Sequence, residues 1–346
     1  MRESDESERE VGAAPAWSVG KPWNFSHEGE DRVSGSVLVT GGAGFIGSHV
    51  CEAYRERGWD VTAVDDLSSG RRENVPPGVD FRVIDVRDGD LDELFEEKDF
   101  DLVNHQAAQI DVRVSVDRPR HDASVNLDGL LHVLEAARAA EVERVVFASS
   151  GGVLYGEADR IPTPETSPKL PVSPYGVSKL AGEHYLFAYR KTHGLDYAAL
   201  RYANVYGPRQ DPHGEAGVVA LFSGRLDRGE DLTIYGDGEQ TRDYVHVEDV
   251  ARANVLASEM ELGEPELPDD VAFNVGTGRE TSVNELAETM IEVAEADVGT
   301  EHAPPRPGEL QRSALDPGRL EEVGWSPRRE LAEGLRETYR YIREQE

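Results

Sequence analysis

The stretch S-V-L-V-T-G-G-A-G-F-I-G, from Ser36 to Gly47, decides the fold of this chain. Its first part is a short run rich in β-branched apolar residues, which predicts a strand. An apolar pattern at helical spacing begins with Phe45 and Ile46, immediately after the glycine-rich turn. Strand, glycine turn and helix in this order form the phosphate-binding unit of dinucleotide-binding folds, in which the helix N-terminus faces the phosphate charge. The stretch therefore predicts a dinucleotide site.

The three glycines of the turn have separate roles. Gly41 permits the tight turn, Gly44 lets the backbone approach the pyrophosphate, and Gly47 allows the helix to pack closely against the strand. Their spacing is G-x-x-G-x-x-G, a variant of the G-x-G-x-x-G pattern. The flanking strand and helix, more than the spacing itself, support the prediction.

A second predicted strand ends in Asp65, eighteen residues after Gly47, and Asp66 follows it. A carboxylate at this position can accept hydrogen bonds from the adenosine ribose and would repel a 2′-phosphate. We therefore expect NAD and not NADP as the cofactor. The alternative is that the two acids only open a polar turn.

The run S-P-Y-G-V-S-K places Tyr175 and Lys179 four residues apart on a predicted helix, with Ser173 as N-cap and Pro174 at the first helical position. Residues at this spacing share one helix face, so the phenol and the ammonium converge. The lysine charge is expected to lower the pKa of Tyr175 from ~10, which would make the phenol a proton acceptor. With Ser150 between the two motifs, the pattern indicates redox chemistry on a nicotinamide. The alternative is a solvated helix face without chemistry.

The composition is strongly acidic. The 346 residues include 68 acidic and 36 basic ones, 31 of them arginine, for a net charge of -32. This charge excludes nonspecific affinity for nucleic acid or anionic membranes. Such acidity repels itself at low salt, whereas molar salt shortens the Debye length to ~3 Å, so we predict a halophilic protein adapted to a salt-rich cytoplasm. A generic acidic protein is the alternative.

Other features of the composition point to the cytoplasm. The single Cys51 cannot form an internal disulfide, which fits a reducing compartment. The sequence has no apolar stretch of membrane-spanning length, and its acidic start does not resemble a signal peptide. We therefore expect a soluble cytoplasmic protein. No Cys/His metal cluster is visible, and no metal is expected.

Residues 1–34 are rich in Glu, Ser and Gly without periodicity, which predicts a disordered acidic tail. Trp17, Trp23 and Phe25 leave open that the tail instead clamps onto the body or onto a partner. From residue 35 to about 200, apolar strand patterns alternate with helix patterns. The predicted strands are Ser36–Thr40, Asp60–Val64, Asp80–Ile84, Leu102–His105, Arg144–Ser149 and Tyr197–Arg201, and predicted helices include Leu91–Glu97 and Val125–Ala140.

This alternation predicts an α/β fold, a Rossmann-type doubly wound parallel sheet that binds NAD over residues 35–200. Past residue 200, loops rich in Gly, Pro and Arg alternate with shorter elements. Such loops predict a smaller C-terminal substrate-binding lobe over residues 201–346, with some segments returning to the first domain.

Further runs carry a family resemblance. They are V-D-D-L-S-S-G (64–70), F-A-S-S-G-G-V-L-Y-G-E (147–157), L-R-Y-A-N-V-Y-G-P-R (200–209), G-D-G-E-Q-T-R-D-Y-V-H-V-E-D-V (236–250) and F-N-V-G-T-G (273–278). Together with the glycine turn and the Tyr-Lys helix, they resemble the extended short-chain dehydrogenase/reductases, and within these the UDP-glucose 4-epimerases. The resemblance covers about residues 35 to 340.

The resemblance implies roles for individual residues. Tyr175 would be the base, Lys179 would bind the nicotinamide ribose, and Ser150, favoured over Ser149, would hydrogen-bond the 4-oxygen of the sugar. The implied cofactor contacts are Gly41, Gly44, Phe45, Ile46, Gly47, Asp65, Asp66, Asp85, Val86, Ala107, Gln109, Tyr175, Lys179 and Tyr202. The implied substrate contacts are Ser150, Asn204, Arg242, Arg306, Glu309 and Ser313. Arginine suits a diphosphate because its two N–H groups grip phosphate oxygens as a fork.

The resemblance also implies the pocket size. Ser313 stands where a bulky tyrosine would restrict such an enzyme to glucose and galactose, and a small residue leaves room for an N-acetyl group. The alternative is that its loop has another shape and Ser313 is merely exposed.

The implied activity is NAD-dependent 4-epimerisation of a UDP-sugar through a 4-keto intermediate, with UDP-glucose, UDP-galactose and their N-acetyl forms as substrates. The cofactor is recycled within each turnover, so NAD should stay tightly bound. A UDP-glucuronate 4-epimerase or decarboxylase is an alternative, as is a non-catalytic NAD-binding sensor, which would not need the tyrosine and lysine. We expect a homodimer without nucleic-acid or membrane partners.

Overall fold

The centre of the fold is a seven-stranded parallel sheet with helices on both faces. A computed structural model describes residues 35–212, 217–306 and 310–345. The tail predicted over residues 1–34 lies outside the described residues. No helix of the described residues combines the length and the apolar character needed to cross a membrane.

The strands are, in chain order, β1 (Ser36–Thr40), β2 (Asp60–Asp65), β3 (Asp80–Val83), β4 (Leu102–His105), β5 (Arg144–Ser150), β6 (Asp196–Tyr202), β7 (Asn204–Tyr206), β8 (Leu232–Tyr235), β9 (Thr241–Arg242), β10 (Tyr244–His246), β11 (Ala272–Val275), β12 (Thr281–Ser282) and β13 (Thr300–Ala303). The helices are α1 (Phe45–Glu56), α2 (Asp90–Glu97), α3 (Val112–Asp117), α4 (Pro119–Ala123), α5 (Gly129–Ala139), α6 (Gly151–Leu154), α7 (Pro174–His193), α8 (Val218–Asp227), α9 (Val247–Glu259), α10 (Val283–Ala294), α11 (Gly318–Glu322) and α12 (Leu331–Gln345).

The six strands predicted before residue 203 are confirmed, each within one residue of its predicted bounds. The helix predicted over Val125–Ala140 is partly wrong, because helical structure starts earlier, at Pro119, and contains a π-helical turn at Ser124–Asp128 before α5. Asn126 in this turn exchanges hydrogen bonds with the backbone of Gln109, at 2.9 Å in both directions. These long-range contacts accompany the extra residue that a π-helical turn contains. The periodicity of apolar residues could not predict them.

The strand order is β11-β6-β5-β4-β1-β2-β3. The order reverses between β1 and β4, and in doubly wound sheets the ligand crevice lies at this point, outside the carboxyl ends of the strands. Strand β11 comes from the C-terminal half of the chain and pairs in parallel with β6. The main sheet is therefore completed by a segment from beyond residue 201.

The two faces of the sheet are both apolar, as in other parallel sheets covered by helices. Alternating residues of β1 show this: Val37 and Val39 pack in one buried cluster with Tyr54 of α1, whereas Leu38 packs in a second cluster on the other face with Leu134 of α5. The period-2 alternation of side chains along a strand explains the division.

The C-terminal half builds a second, smaller packing unit beside the sheet. Three two-stranded sheets pair β7 with β10, β8 with β13 and β9 with β12. Helices α8, α10 and α12 pack around a separate apolar cluster that includes Phe222, Leu286 and Leu335. Short strands joined by loops leave several loop ends beside the carboxyl edge of the main sheet.

A buried ion pair joins α7 to β6. The guanidinium of Arg201 donates to both carboxylate oxygens of Glu183, at 2.9 and 2.6 Å, and both side chains are fully buried. The Ser149 hydroxyl at the end of β5 donates to the same carboxylate at 2.6 Å. Arg201 also donates to Asp269 at 2.7 Å and to the Tyr155 hydroxyl at 3.0 Å. The network therefore fixes the position of α7 relative to two strands of the sheet.

Candidate active site

A cleft with about 1000 Å³ of empty volume opens at the carboxyl ends of the strands, at the switch in strand order. The predicted cofactor contacts that line it are Gly41, Gly44, Phe45, Ile46, Gly47, Asp65, Asp66, Asp85, Val86, Ala107, Tyr175, Lys179 and Tyr202. The predicted contact Gln109 does not line the cleft. Its amide donates instead to the backbone of Asp111 at 3.1 Å and to the carboxylate of Asp122 at 2.9 Å.

The turn between β1 and α1 has room for backbone only. Gly41 has a positive φ of 69°, and a Cβ on Gly47 would lie 2.0 Å from the carbonyl oxygen of Gly41. No side chain caps the N-terminus of α1. The first N–H groups of this twelve-residue helix are therefore available to an anion in the cleft. A cradle without side chains at a helix N-terminus fits the pyrophosphate of a dinucleotide.

Asp65 stands at the end of β2, where its carboxylate accepts from the backbone N–H of Ala43 at 3.1 Å and of Leu67 at 2.8 Å. Burial raises the pKa of Asp65, and the two backbone donors counteract part of this shift. The remaining lone pairs face the cleft, which suits the hydroxyl groups of a ribose.

Asp85 is held by Arg87, whose guanidinium forms a bidentate pair with its carboxylate. Arg87 also lines the cleft. Sequence reasoning missed it, together with the lining residues Ser68, Ser69, Ile84, Gln106, Ala108, Ile110, Val125 and Ala148. Most of these are immediate neighbours of predicted contacts, so proximity along the chain was the available signal.

Tyr175 and Lys179 project from the first turns of α7 into the inner end of the cleft. The N-terminus of α7 is fixed as predicted, because the Ser173 side chain accepts from the N–H of Gly176 at 3.1 Å and Pro174 takes the first helical position. Lys179 is buried, and its Nζ donates to the carbonyl of Ala148 at 2.8 Å. Its Nζ lies 5.8 Å from the centre of the Tyr175 ring.

The expected lowering of the Tyr175 pKa is wrong for the ligand-free chain. Burial raises the pKa of Tyr175 above its ordinary value, although a hydrogen bond with Ser150 acts in the opposite direction. Burial also lowers the pKa of Lys179 from 10.5 to about 8, and the charge of Asp122 counteracts this shift. Removal of the phenol from water is the main cause, and the charge of Asp122 acts in the same direction, so the phenol stays protonated without a further positive charge in the cleft.

The two candidate serines have different partners. The Ser149 hydroxyl is buried and donates to Glu183 at 2.6 Å, as part of the buried ion-pair network. The Ser150 hydroxyl lies near the phenol of Tyr175 and acts to lower its pKa. Gly151 follows at the start of α6, where a Cβ would lie 2.4 Å from the Leu315 side chain. Ser150 is thus the serine whose hydroxyl acts on the tyrosine, whereas Ser149 is bound to Glu183.

The predicted substrate contacts lie in loops and short strands of the C-terminal half. Asn204 is exposed at the start of β7, and Arg242 is half-buried in β9. Arg306 lies over the Tyr235 ring, 4.0 Å from its centre, in a hollow that also contains Gln240. Ser313 is half-buried. The predicted contact Glu309 lies outside the described residues.

Asp243 connects these segments. Its buried carboxylate accepts from the N–H and hydroxyl of Thr277, at 2.9 and 2.6 Å, and from the N–H groups of Gly278 and Leu315, both at 3.1 Å. Its backbone carbonyl accepts from the N–H of Asn204 at 2.9 Å. The carboxylate of Asp243 thereby joins the Thr277–Gly278 turn to Leu315, and its backbone carbonyl joins β7 to the same residue. No group of acidic, His or Cys side chains among the described residues could hold a metal ion.

The sequence matches the family described as the NAD dependent epimerase/dehydratase family over residues 37–276. A curated relative, the UDP-glucose 4-epimerase of Mycolicibacterium smegmatis, is 47% identical over 313 residues, which cover 89% of this chain and 98% of the relative.

Two solved structures are similar throughout. The UDP-glucose 4-epimerase of Thermotoga maritima with UDP-glucose is 46% identical, with a TM-score of 0.85, and the match covers 90% of this chain and 99% of that chain. The UDP-glucose 4-epimerase of Thermus thermophilus in complex with NAD is 47% identical, with a TM-score of 0.83, over 89% and 99% of the two chains.

Lys179→Met should remove a pH-dependent gain in stability from the ligand-free protein. Between pH 8 and 10.5 the unfolded chain binds a proton that the folded chain has lost, because the folded pKa of Lys179 is about 8. The free energy of unfolding therefore rises with pH in this window, by about 3 kcal/mol from Lys179. Below pH 8 both states are protonated, and Lys179 contributes no slope.

Urea unfolding from pH 7 to 10.5 measures this difference. Lys191→Met, at an exposed lysine of the same helix, is the control and should keep the shape of the wild-type curve. Parallel curves for the wild type and Lys179→Met would contradict a lowered pKa for Lys179.

Proposed function

The chain belongs to the NAD dependent epimerase/dehydratase family, and we propose that it is a UDP-sugar 4-epimerase that interconverts UDP-glucose and UDP-galactose through a 4-keto intermediate. The observation that carries this function is the inner end of the dinucleotide cleft, where Tyr175 lies beside the buried Lys179 and the Ser150 hydroxyl acts to lower the pKa of the phenol. A non-catalytic sensor would not need these three groups at the reacting position.

NAD fits the cleft described above. The glycine turn would hold the pyrophosphate, Asp65 the adenosine ribose, the segment of Asp85 and Val86 the adenine, and Lys179 the nicotinamide ribose. The chemistry that bound NAD supplies is the reversible acceptance of a hydrogen with its electron pair from carbon 4 of the sugar, together with a positive charge on its ring. Tyr175 would then have beside it the positive charge that the ligand-free site lacks for the stabilisation of phenolate.

The proton of the reaction moves through Tyr175. Its phenol oxygen takes the proton of the 4-hydroxyl, while the Ser150 hydroxyl hydrogen-bonds the same sugar oxygen and keeps it in line. Lys179 remains charged beside them and disfavours return of the proton before carbon 4 is oxidised. In the reverse step Tyr175 returns the proton to the newly formed alkoxide. Both transfers take place where water has little access, since Tyr175 and Lys179 are buried.

Epimerisation requires the 4-keto sugar to turn over between the two half-reactions. The nucleotide must stay bound while the sugar rotates, so the diphosphate needs strong contacts outside the reacting centre. We assign these contacts to Asn204, Arg242 and Arg306. Arginine at two of the positions suits a diphosphate, because a guanidinium binds two phosphate oxygens at once.

We infer that the protein is a homodimer. Helices α3 and α7 pack against each other and carry exposed apolar residues, Val112 and Val116 on α3 and Val177 and Tyr185 on α7. Apolar residues grouped on adjacent helices are typical of subunit interfaces. A mass of two chains in sedimentation velocity is the expected result, and a single-chain mass at micromolar concentration would contradict it.

Tyr175→Phe should lower turnover of UDP-glucose by roughly 10²-fold or more, the scale of general-base contributions, and should leave NAD bound. The measurement is the conversion of UDP-glucose to UDP-galactose at saturating substrate, with bound NAD quantified after denaturation. Tyr341→Phe removes a hydroxyl from the half-buried part of α12, away from the dinucleotide cleft, and is the matched control. A Tyr175→Phe rate close to that of the control would refute the proposed base.

Ser313→Tyr should abolish epimerisation of UDP-N-acetylglucosamine and retain that of UDP-glucose. Ser313 precedes Leu315, whose side chain packs on Gly151 next to Ser150, so a bulky side chain at 313 would approach the sugar. A clash can exclude a ligand outright, whereas spare room costs only ~1–3 kcal/mol. Ser313→Ala keeps the small size and should retain both activities. Failure of the wild type to turn over the N-acetyl sugar would refute the role of Ser313.

The thermal midpoint should rise as KCl increases from about 0.1 M to above 2 M, because salt screens the mutual repulsion of the acidic residues. We propose on this ground a halophilic protein of a salt-rich cytoplasm, given the net charge of -32. Differential scanning calorimetry measures the midpoint, and a sucrose series of equal osmolality, which adds no ions, is the control. A flat or falling midpoint in KCl argues against this adaptation.

A further inference from the structure

Asp122 is a fully buried carboxylate without an ion-pair partner among the described residues. It lies on the short helix α4 and accepts hydrogen bonds from three neutral groups: the Ser178 hydroxyl at 2.6 Å, the Gln109 amide at 2.9 Å and the Asn126 amide at 2.9 Å. The donors come from α7, from the loop after β4 and from the π-helical turn. Asp122 is therefore the point at which these three segments are joined.

Lys179 is the next residue after Ser178 on α7 and is also buried. Within the part of the chain that the structure describes, its ammonium has no carboxylate within 4.0 Å and donates only to the carbonyl of Ala148. The inner end of the cleft thus contains one buried cation, and a buried carboxylate, Asp122, binds the preceding residue of α7 without forming an ion pair with that cation. An isolated buried charge is costly and tends to be neutralised.

Other titratable groups around Lys179 do not supply the missing charge. The buried carboxylate of Glu183, four residues along α7, is paired with Arg201. His105 of β4 is buried, and burial lowers its pKa to about 3, so its ring is neutral. Tyr175 of α7 and Tyr202 of β6 are protonated, since burial raises the pKa of both. Asp122 is the group whose charge counteracts the lowering of the Lys179 pKa by burial. In a low dielectric, such an attraction acts beyond contact distance.

We propose that Asp122 is a positioning residue of the reaction, which fixes α7 through Ser178 and supplies the negative charge that keeps Lys179 protonated in the buried site. This inference rests on the proposed roles of Tyr175 and Lys179. The arrangement has a cost for catalysis, because the same negative charge raises the pKa of Tyr175. The site therefore favours a charged lysine over an acidic tyrosine until a further positive charge enters the cleft.

The protonation of Lys179 can be observed directly, because the chain contains only five lysines. Protein labelled with [ε-¹³C]lysine is titrated by NMR as purified, with its cofactor, and the Lys179 signal is assigned by its absence in Lys179→Arg. Asp122→Asn keeps the shape and removes the charge, and it should lower the Lys179 midpoint by about one pH unit or more. Ser178→Ala removes a hydrogen bond but not the charge, and its midpoint should stay within about 0.3 of wild type.

The result that would overturn the proposal is an unchanged Lys179 midpoint in Asp122→Asn, or an equal fall in both variants, since the latter would indicate a structural role of the hydrogen bond. The alkaline limb of kcat/KM for UDP-glucose should move to lower pH in Asp122→Asn by the same amount as the NMR midpoint. If Asp122→Asn lowers the Lys179 midpoint but the wild-type protein has no epimerase activity, the proposed function is refuted. The interaction of the Asp122 charge with Lys179 is then still supported.

A third variant covers the case in which Asp122→Asn does not fold. Asp122→Asn/Lys179→Met removes both charges, so no buried charge is left without its counterpart. If the two charges stabilise each other, the double variant should fold and resist urea better than Asp122→Asn alone. A double variant that is as unstable as the sum of the two single changes would overturn the proposal.

Discussion

The arrangement of the site depends on the buried ion pair of Glu183 and Arg201. Tyr175, Lys179 and Glu183 follow each other at intervals of four residues, so one face of α7 carries the proposed proton acceptor, the buried cation and the anchoring carboxylate. Arg201 binds that carboxylate from β6, and Ser149 binds it from β5. Because neither partner of the pair is exposed, any displacement of α7 would leave a buried charge unpaired. The distance between Tyr175 and Ser150 is thereby fixed.

Charge inside the protein is arranged differently from charge over the whole chain. The net charge is -32, yet several of the buried charges occur in opposed sets: Arg201 with Glu183 and Asp269, Arg144 with Asp196, and at longer range Lys179 with Asp122. Opposed sets are what a low-dielectric interior requires, since an isolated charge there loses more solvation than it gains. The excess of acidic residues therefore bears on the surface and on the response to salt, whereas the chemistry depends on a few balanced charges.

The proposed cofactor contacts and the proposed contacts to the diphosphate of the substrate lie in different parts of the fold. The carboxyl edge of the main sheet carries the dinucleotide cleft and the reacting side chains, and the segments around Asp243 carry the proposed contacts to the nucleotide of the substrate. Leu315 links the two, since its N–H is bound by Asp243 and its side chain packs on Gly151 beside Ser150. The sugar must rotate at the reacting end of the substrate while the diphosphate stays bound at the other end. This requires that the two parts of the site keep a fixed distance from each other.

The sequence by itself determined the main sheet, the glycine turn and the pairing of Tyr175 with Lys179, because these are set by local periodicity and by residues close together in the chain. It also pointed to the family, since several motifs occur in one order. Only the tertiary structure decided which neighbours surround each group. The Gln109 amide is hydrogen-bonded to Asp122 and does not line the cleft, and the Ser149 hydroxyl is hydrogen-bonded to Glu183. Burial raises the pKa of Tyr175, whereas the sequence predicted that it would be lowered. Each depends on residues from other elements of the fold, 13 positions away for Gln109 and 34 for Ser149, and no local sequence pattern predicts their packing and desolvation.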